Sequence, residues 1–294
     1  MTRAASPRTA FLLVAPAVLA LGSVTAYPLA HAVWLSFHRL RLTEPGTPAF
    51  IGLEAYGVVL TNPLFWRDLG RTLLLVAITV PAELALGLAI ALVLHRPGRG
   101  RGLARAATLV PYGIVTVVSA YAWRYAFALD TGFVSAWLGL GDLAWFDRPG
   151  TALATISVAE IWKTTPFMAL LLLAGLATVP DELQEAAELD GATAWQRLWR
   201  VTLPAMRGLV ATAVLFRALD AYRIFDSVFV MTGGANGTET VSFLAYRQVV
   251  TRTALGLGAT VSILVFGAML VLAAALAKAL GLEPPSQTET GADA

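Results

Sequence analysis

The sequence predicts an all-α integral membrane protein with about six transmembrane helices and one helical element outside the bilayer. Three observations predict it. The 294-residue chain is 57% hydrophobic and only 14% charged, with a mean hydropathy of +0.69, far more apolar than a soluble domain of this length. Apolar windows of roughly 20 residues recur about six times, each long enough to span a bilayer. Between two of them lies PDELQEAAELDGATAWQRLWRVTLP, Pro180 to Pro204, which is polar, compact and helical in its signals.

The windows fall near Ala10 to Phe37, Leu69 to Leu94, Arg105 to Leu129, Thr151 to Val179, Leu209 to Met231 and Leu255 to Leu280. The first follows Arg3 and Arg8 like a secretory signal, but its apolar run continues through Trp34 without a convincing small-residue cleavage site, so it reads as a spanning helix. Orientation follows from basic residues near the span ends. With the N-terminus inside, the Arg96 to Arg105 loop places four arginines in the cytoplasm, and the polar segment adds Arg197, Arg200 and Arg207. Residues 1–9 and 283–294 are then expected to be cytoplasmic, flanking a transmembrane domain over 10–282 that holds the polar segment 180–204. The tail EPPSQTETGADA is small, polar and Pro-containing, an expected disordered stretch.

Local chemistry divides the polar segment into two short helices. Pro180 suits a first turn, Asp181 and Glu182 complement the positive helix start, and Gly191 suits a left-handed stop. Thr193 and Gln196 have capping-box spacing for a second start, after which Trp195, Leu198 and Trp199 share one face with Arg197 and Arg200 turned away. Asp190 is an anomaly, because a carboxylate at a helix C-terminus opposes the macrodipole by about 0.3–1 kcal/mol. That hints at an external partner; an ordinary solvated hairpin is the plainer reading.

Charges inside the apolar windows are the second source of chemistry. Arg217, Asp220, Arg223 and Asp226 recur at three-residue intervals, so in a continuous helix they form a ladder of opposite-sign neighbours. Each costs at least ~2.5 kcal/mol at bilayer depth and is expected to face protein or water. The ladder reads either as a substrate path or as a clamp on the fifth span. Tyr222 and Phe225 flank it and suit stacking on a sugar ring or plain packing. In the fourth span Glu160 and Lys163 can pair at i,i+3, while Pro166 frees a carbonyl beside Thr164 and Thr165, a place for a substrate hydroxyl or a structural kink. Glu83, two residues after Pro81, is assigned no role.

Several classes are excluded. With no cysteine there are no disulfides, thiol nucleophiles or cysteine metal sites. His31, His38 and His95 are too scattered for a metal cluster. GRGRG at 98–102 lacks the phosphate-loop lysine and follows a membrane helix, and no GxSxG occurs. A net charge of +2 does not point to nucleic acid. A membrane enzyme fails for want of a paired nucleophile and base. A secondary transporter remains an alternative, with Glu83, Glu160, Asp220 or Asp226 carrying protons or ions.

Glu185-Ala186-Ala187, Asp190-Gly191-Ala192 and Leu203-Pro204 resemble the EAA loop of permease subunits of binding-protein-dependent ABC importers. Leu198, Val201 and Gly208 stand where phenylalanine, isoleucine and a second proline are common in that family. The ladder segment, LVPYGIVTVVSAYAW at 109–123 and AEIWKTTPFMALLLLAGL at 159–176 are similar to carbohydrate-type permeases related to the maltose importer, above all those of actinobacterial trehalose importers. The resemblance implies a type I ABC importer permease fold with cytoplasmic coupling helices in a bacterial plasma membrane. It also implies a second homologous permease, two ATPase subunits that carry ATP and Mg with no cofactor on this chain, and an extracytoplasmic sugar-binding lipoprotein. Glu185, Ala186, Ala187, Asp190, Gly191, Ala192, Trp195 and Leu198 would couple to the ATPase. Lys163, Thr164, Thr165, Asp220, Tyr222, Arg223 and Asp226 would line the path of a sugar, trehalose by the nearest resemblance, through alternating access.

Overall fold

The computed structural model describes residues 7–282 apart from 45, 97, 99, 141 and 142. Arg3 and the tail from Glu283 lie outside the described residues. The chain divides into two compact units, 1–66 with 244–266 and 67–243 with 267–294.

The first unit carries α1 (Pro7–Ser36), the two-residue antiparallel strands β1 (His38–Arg39) and β2 (Ala49–Phe50), and α2 (Glu54–Thr61). From Val14 onward α1 is apolar enough to span a membrane, yet none of its apolar window is buried. The short ladder ties down the chain after α1. Ser36 Oγ reaches Tyr56 Oη at 2.7 Å, and the Ser36 carbonyl accepts from Thr260 Oγ1 at 3.1 Å.

The second unit follows α3 (Pro63–His95) from Arg67 and continues through α4 (Arg101–Gly113), α5 (Thr116–Ala126), α6 (Val134–Leu138) and α7 (Pro149–Leu176). The polar segment forms α8 (Asp181–Leu189), α9 (Ala194–Arg197), a π-helical turn over Leu198–Thr202 and α10 (Leu203–Ala205). Then come α11 (Arg207–Tyr222) and α12 (Asp226–Met231); α13 (Val241–Tyr246) starts in this unit and ends in the first, which holds a second π-helical turn over Arg247–Thr251 and the start of α14 (Leu255–Ala279). Helix α7 is the axis of the second unit, with 61% of its apolar window buried. On one side Ile156 and Ala159 join Leu75, Val228 and Phe243; further along, Met168, Leu172 and Leu176 join Ala91, Leu94 and Met206. Gly87 permits the close approach of α3, since a Cβ there would lie 2.9 Å from Met168 Cγ and 3.1 Å from the Ala169 nitrogen.

Four described helices are long and apolar enough to cross a membrane: Val14–Ser36, Pro63–His95, Pro149–Leu176 and Leu255–Ala279. The third and fifth expected spans are not continuous: Gly102–Gly113 and Thr116–Ala126 meet at 86°, and the fifth is interrupted between Tyr222 and Asp226. The polar segment's Ala194–Ala205 meets Arg207–Met231 at 76°. Counting each bent pair once gives up to six spans by length and composition, in line with the six apolar windows. Hydropathy registers an apolar window wherever it occurs, but a bend depends on who receives the freed backbone groups.

Candidate functional site

The two broken helices meet at a polar cavity of about 580 Å³. Pro111 lies in the last turn of α4, after which Ile114 and Val115 are extended and α5 restarts at Thr116. The carbonyls exposed by this break find a cation: Lys163 Nζ donates to Ile114 O at 2.6 Å and to Tyr112 O at 3.4 Å. Positive charge at a helix C-terminus satisfies both the orphan acceptors and the dipole. Lys163 is thus turned to α4 rather than held in the expected ion pair with Glu160. Helix α7 also runs unbroken through Pro166, with Thr164 and Thr165 bonding the carbonyls of Glu160 and Ile161, each at 2.6 Å.

The expected four-residue ladder is broken as well. Helix α11 stops at Tyr222, Arg223 to Phe225 leave the helical path, and α12 restarts with Asp226 in its first turn. Arg217 and Asp220 remain one helix turn apart and pair at 2.7 Å, but Arg223 lies in the break and Asp226 beyond it. The freed Ile224 carbonyl accepts from Thr240 Oγ1 at 3.2 Å, and Asp226 places a negative charge at the start of α12.

Arg217 is the hub of a buried network joining three helices. Its Nε and Nη2 donate to the Glu83 carboxylate of α3 at 2.5 and 3.0 Å, and Nη2 also donates to Thr164 Oγ1 of α7 at 3.0 Å. The Thr164 hydroxyl lies 2.8 Å from Glu83 Oε1. Glu160 Oε2 stands 3.7 Å from Arg217 Nη2, and its Oε1 accepts from Ser227 of α12. Glu83, left without a role by the sequence reading, is therefore the principal partner of Arg217. Its position after Pro81 gave no pointer to a residue 134 positions away.

The polar segment is built as its local signals predict. Thr193 and Gln196 form the reciprocal capping box, with Thr193 N donating to Gln196 Oε1 at 2.8 Å and Gln196 N to Thr193 Oγ1 at 3.3 Å. Gly191 has φ +78°, the left-handed stop between α8 and α9. Arg197 pairs with Glu188, and Gln184 Nε2 donates to Thr202 Oγ1 at 2.9 Å, so α8 is strapped to the π-helical turn. Helix α8 buries none of its residues, and Glu185, Ala186 and Asp190 stand exposed. Trp195, Leu198 and Trp199 line an open apolar groove of about 730 Å³ with Pro81, Leu84, Leu88 and Leu92 of α3 and Ala279 and Leu280 at the end of α14, and both tryptophans keep more than half of their surface exposed. The face-sharing of these three residues is as predicted, but it is the face turned to the groove.

With this geometry in view, the comparisons decide the family. Residues 83–281 match the family described as "Binding-protein-dependent transport system inner membrane component". The chain belongs to that family. This permease is 47% identical over 290 residues to the "Trehalose transport system permease protein SugA" of Mycobacterium tuberculosis, covering 99% of this chain and 94% of that protein. It is 36% identical over 262 residues to the "Trehalose/maltose transport system permease protein MalF" of Thermococcus litoralis, covering 87% and 88%. Among solved structures, a chain of a bacterial ABC transporter involved in the import of the acidic polysaccharide alginate superposes with a TM-score of 0.78 at 18% identity, over 92% of this permease and 94% of that chain. The fold is that of an ABC importer permease, and family membership removes the ion-coupled secondary transporter.

Of the expected pathway residues, the permease brings Lys163, Thr164, Asp220, Arg223 and Asp226 to the cavity wall, with Glu160, Arg217, Tyr112 and Phe225 beside them. Two residues do not join. Tyr222 is fully buried away from the cavity lining, because the end of α11 turns it into the protein, and the Thr165 hydroxyl is spent on the Ile161 carbonyl.

Proposed function

We propose that this permease is one of two transmembrane subunits of an ATP-driven importer that moves trehalose through the cavity between α4, α7 and α11. The observation that carries this reading is the 47% identity, over almost the whole of both chains, to a trehalose permease. The cavity chemistry supports it. Six charged residues line the cavity, Glu160, Asp220 and Asp226 against Lys163, Arg217 and Arg223. Such a balanced wall suits an uncharged polyol, whose hydroxyls donate to carboxylates and accept from guanidinium groups. Asp220, Arg223 and Asp226 are the proposed sugar contacts, and Thr164, its hydroxyl held by Glu160 O, Glu83 and Arg217, braces the wall behind them.

The same reading supplies the remaining parts of the importer. A separate extracytoplasmic lipoprotein delivers sugar, a second permease completes the pathway, and two ATPase subunits carry ATP and Mg. Glu185, Ala186, Ala187, Asp190, Gly191, Ala192, Trp195 and Leu198 are the proposed coupling surface for the ATPase, with Glu185, Ala186, Asp190, Gly191 and Trp195 exposed. Both termini and the polar segment are cytoplasmic, consistent with the arginines at 96–105, 197, 200 and 207. ATP binding moves the coupling segment and opens the cavity outward; hydrolysis resets it. Sugar drives this cycle only through unequal affinity for the two states.

The test is radiolabelled trehalose uptake by cells carrying wild-type permease or the Glu185→Ala, Gly191→Pro double variant, with co-purification of the ATPase. Uptake in wild type and its loss in the variant support both cargo and coupling. A wild type that takes up no trehalose while another sugar stimulates its ATPase overturns the cargo, and uptake indifferent to the variant overturns the coupling role.

A further inference from the structure

Glu83 does not line the cavity, yet its carboxylate is fully buried in a spanning helix and carries the strongest contacts of the Arg217 network. A charge in that position requires a compensating partner and marks a functional element by default. Arg217, itself 2% exposed, uses Nε and Nη2 on Glu83 and is left with Nη1, which donates to Asp220 Oδ2 at 2.7 Å. The guanidinium is planar, so fixing one edge fixes where the other points. Asp220 is the exposed end of this chain, with a side chain 59% exposed in the cavity wall.

We propose that Glu83 and Arg217 are positioning residues for substrate. Glu83 locks the guanidinium, the guanidinium holds Asp220 in one rotamer through Oδ2, and the Asp220 carboxylate thereby presents a prepared acceptor to a sugar hydroxyl. This rests on the reading that sugar crosses through this cavity. A carboxylate left to rotate freely on the cavity wall must be ordered when sugar binds, and that ordering weakens the complex. Two neighbouring contacts complete the preparation: Thr164 braces both Glu83 and Arg217, and Glu160 Oε2 lies 3.7 Å from Nη2 while its Oε1 accepts from Ser227. Arg217→Lys would not substitute, because a point charge cannot serve Glu83 and Asp220 through a fixed fork.

The test is a double-mutant cycle in the complete importer, using the nearly isosteric changes Glu83→Gln and Asp220→Asn and measuring KM and Vmax for radiolabelled trehalose uptake alongside co-purified complex. Asp220→Asn is expected to raise KM about tenfold, as loss of a hydrogen bond to a charged group does. Glu83→Gln is expected to raise it severalfold, and the pair together no more than Asp220→Asn alone, since both act through one group. The reciprocal exchange Glu83→Arg with Arg217→Glu keeps a buried opposite pair but sets a carboxylate beside Asp220. It is expected to assemble and to show a KM at least as high as that of Asp220→Asn. Multiplicative KM effects, a wild-type KM in the exchange variant, or loss of assembled complex in Glu83→Gln would each overturn the proposal in favour of a clamp. A wild-type importer that moves no trehalose overturns the cargo reading instead, and the same cycle read with whichever sugar stimulates its ATPase keeps the two failures apart.

Discussion

Within the coupling segment the side-chain contacts join residues 3, 9 and 18 positions apart: Thr193 with Gln196, Glu188 with Arg197, and Gln184 with Thr202. Around the cavity they join residues 49, 53, 67, 81 and 134 positions apart. The first region is a local fold of one short stretch, exposed along α8. The second exists only once three or four helices have packed, and its polar groups are desolvated when they do. Substitutions in the two regions should therefore differ in size and reach: large and global at the cavity, small and local in the coupling segment.

The largest effect is expected from Arg217→Met. It leaves Glu83 and Glu160 in a spanning bundle without their cation, and breaking a buried pair by removing one partner costs about 3–5 kcal/mol. The yield of folded permease in detergent and its melting temperature should both fall sharply. A variant that melts with the wild type would erase the distinction between the two regions.

Lys163→Met comes next. It withdraws a charged donor from the Tyr112 and Ile114 carbonyls at the α4 break, worth about 1.5–3 kcal/mol for hydrogen bonds to a charged group. Faster hydrogen exchange is expected in peptides covering residues 110–120, with little change in α8 and α9. Equal acceleration in both places would mean that the break is held by something other than Lys163.

This contrast also explains which features were legible in sequence. The helix stop at Gly191, the capping box at Thr193 and the shared face of Trp195, Leu198 and Trp199 depend on spacings of a few residues, and each appears as read. The cavity residues were found by their chemistry, because a charge in an apolar window is conspicuous, but their pairing was not. Regular spacing made Arg217, Asp220, Arg223 and Asp226 into a ladder, while the chain breaks at 223–225 and Arg217 turns to Glu83. Nothing in the sequence near Glu83 or Arg217 encodes a contact that only the packing of α3 against α7 and α11 creates. Tyr222 shows the same limit: helical phase places it beside the ladder, but packing buries it.

Gly191→Val should have a smaller effect than either cavity substitution. At φ +78° a β-branched residue meets the left-handed penalty of roughly 1–2 kcal/mol, whereas no atom lies within 4 Å of where its Cβ would be. The cost is conformational and confined to the joint between α8 and α9. The expected outcome is an unchanged melting temperature for the transmembrane bundle and faster exchange over residues 186–197 alone.

The smallest effect sharpens the comparison most. Thr193→Ala removes the acceptor for the Gln196 amide while the backbone N–H of residue 193 still donates to Gln196 Oε1, costing about 1 kcal/mol, whereas Thr193→Ser keeps the box and should be nearly silent. Helix α9 is only one turn long before the π-helical turn begins, so its start has little else to hold it. Exchange at Gln196 and Arg197 should rise severalfold in the alanine variant and not in the serine variant, while amides around Glu83 and Arg217 keep wild-type rates. If the cavity amides respond as well, the coupling segment and the cavity are energetically linked even without ATPase or sugar, and the two regions are parts of one cooperative element rather than a local fold joined to a long-range one.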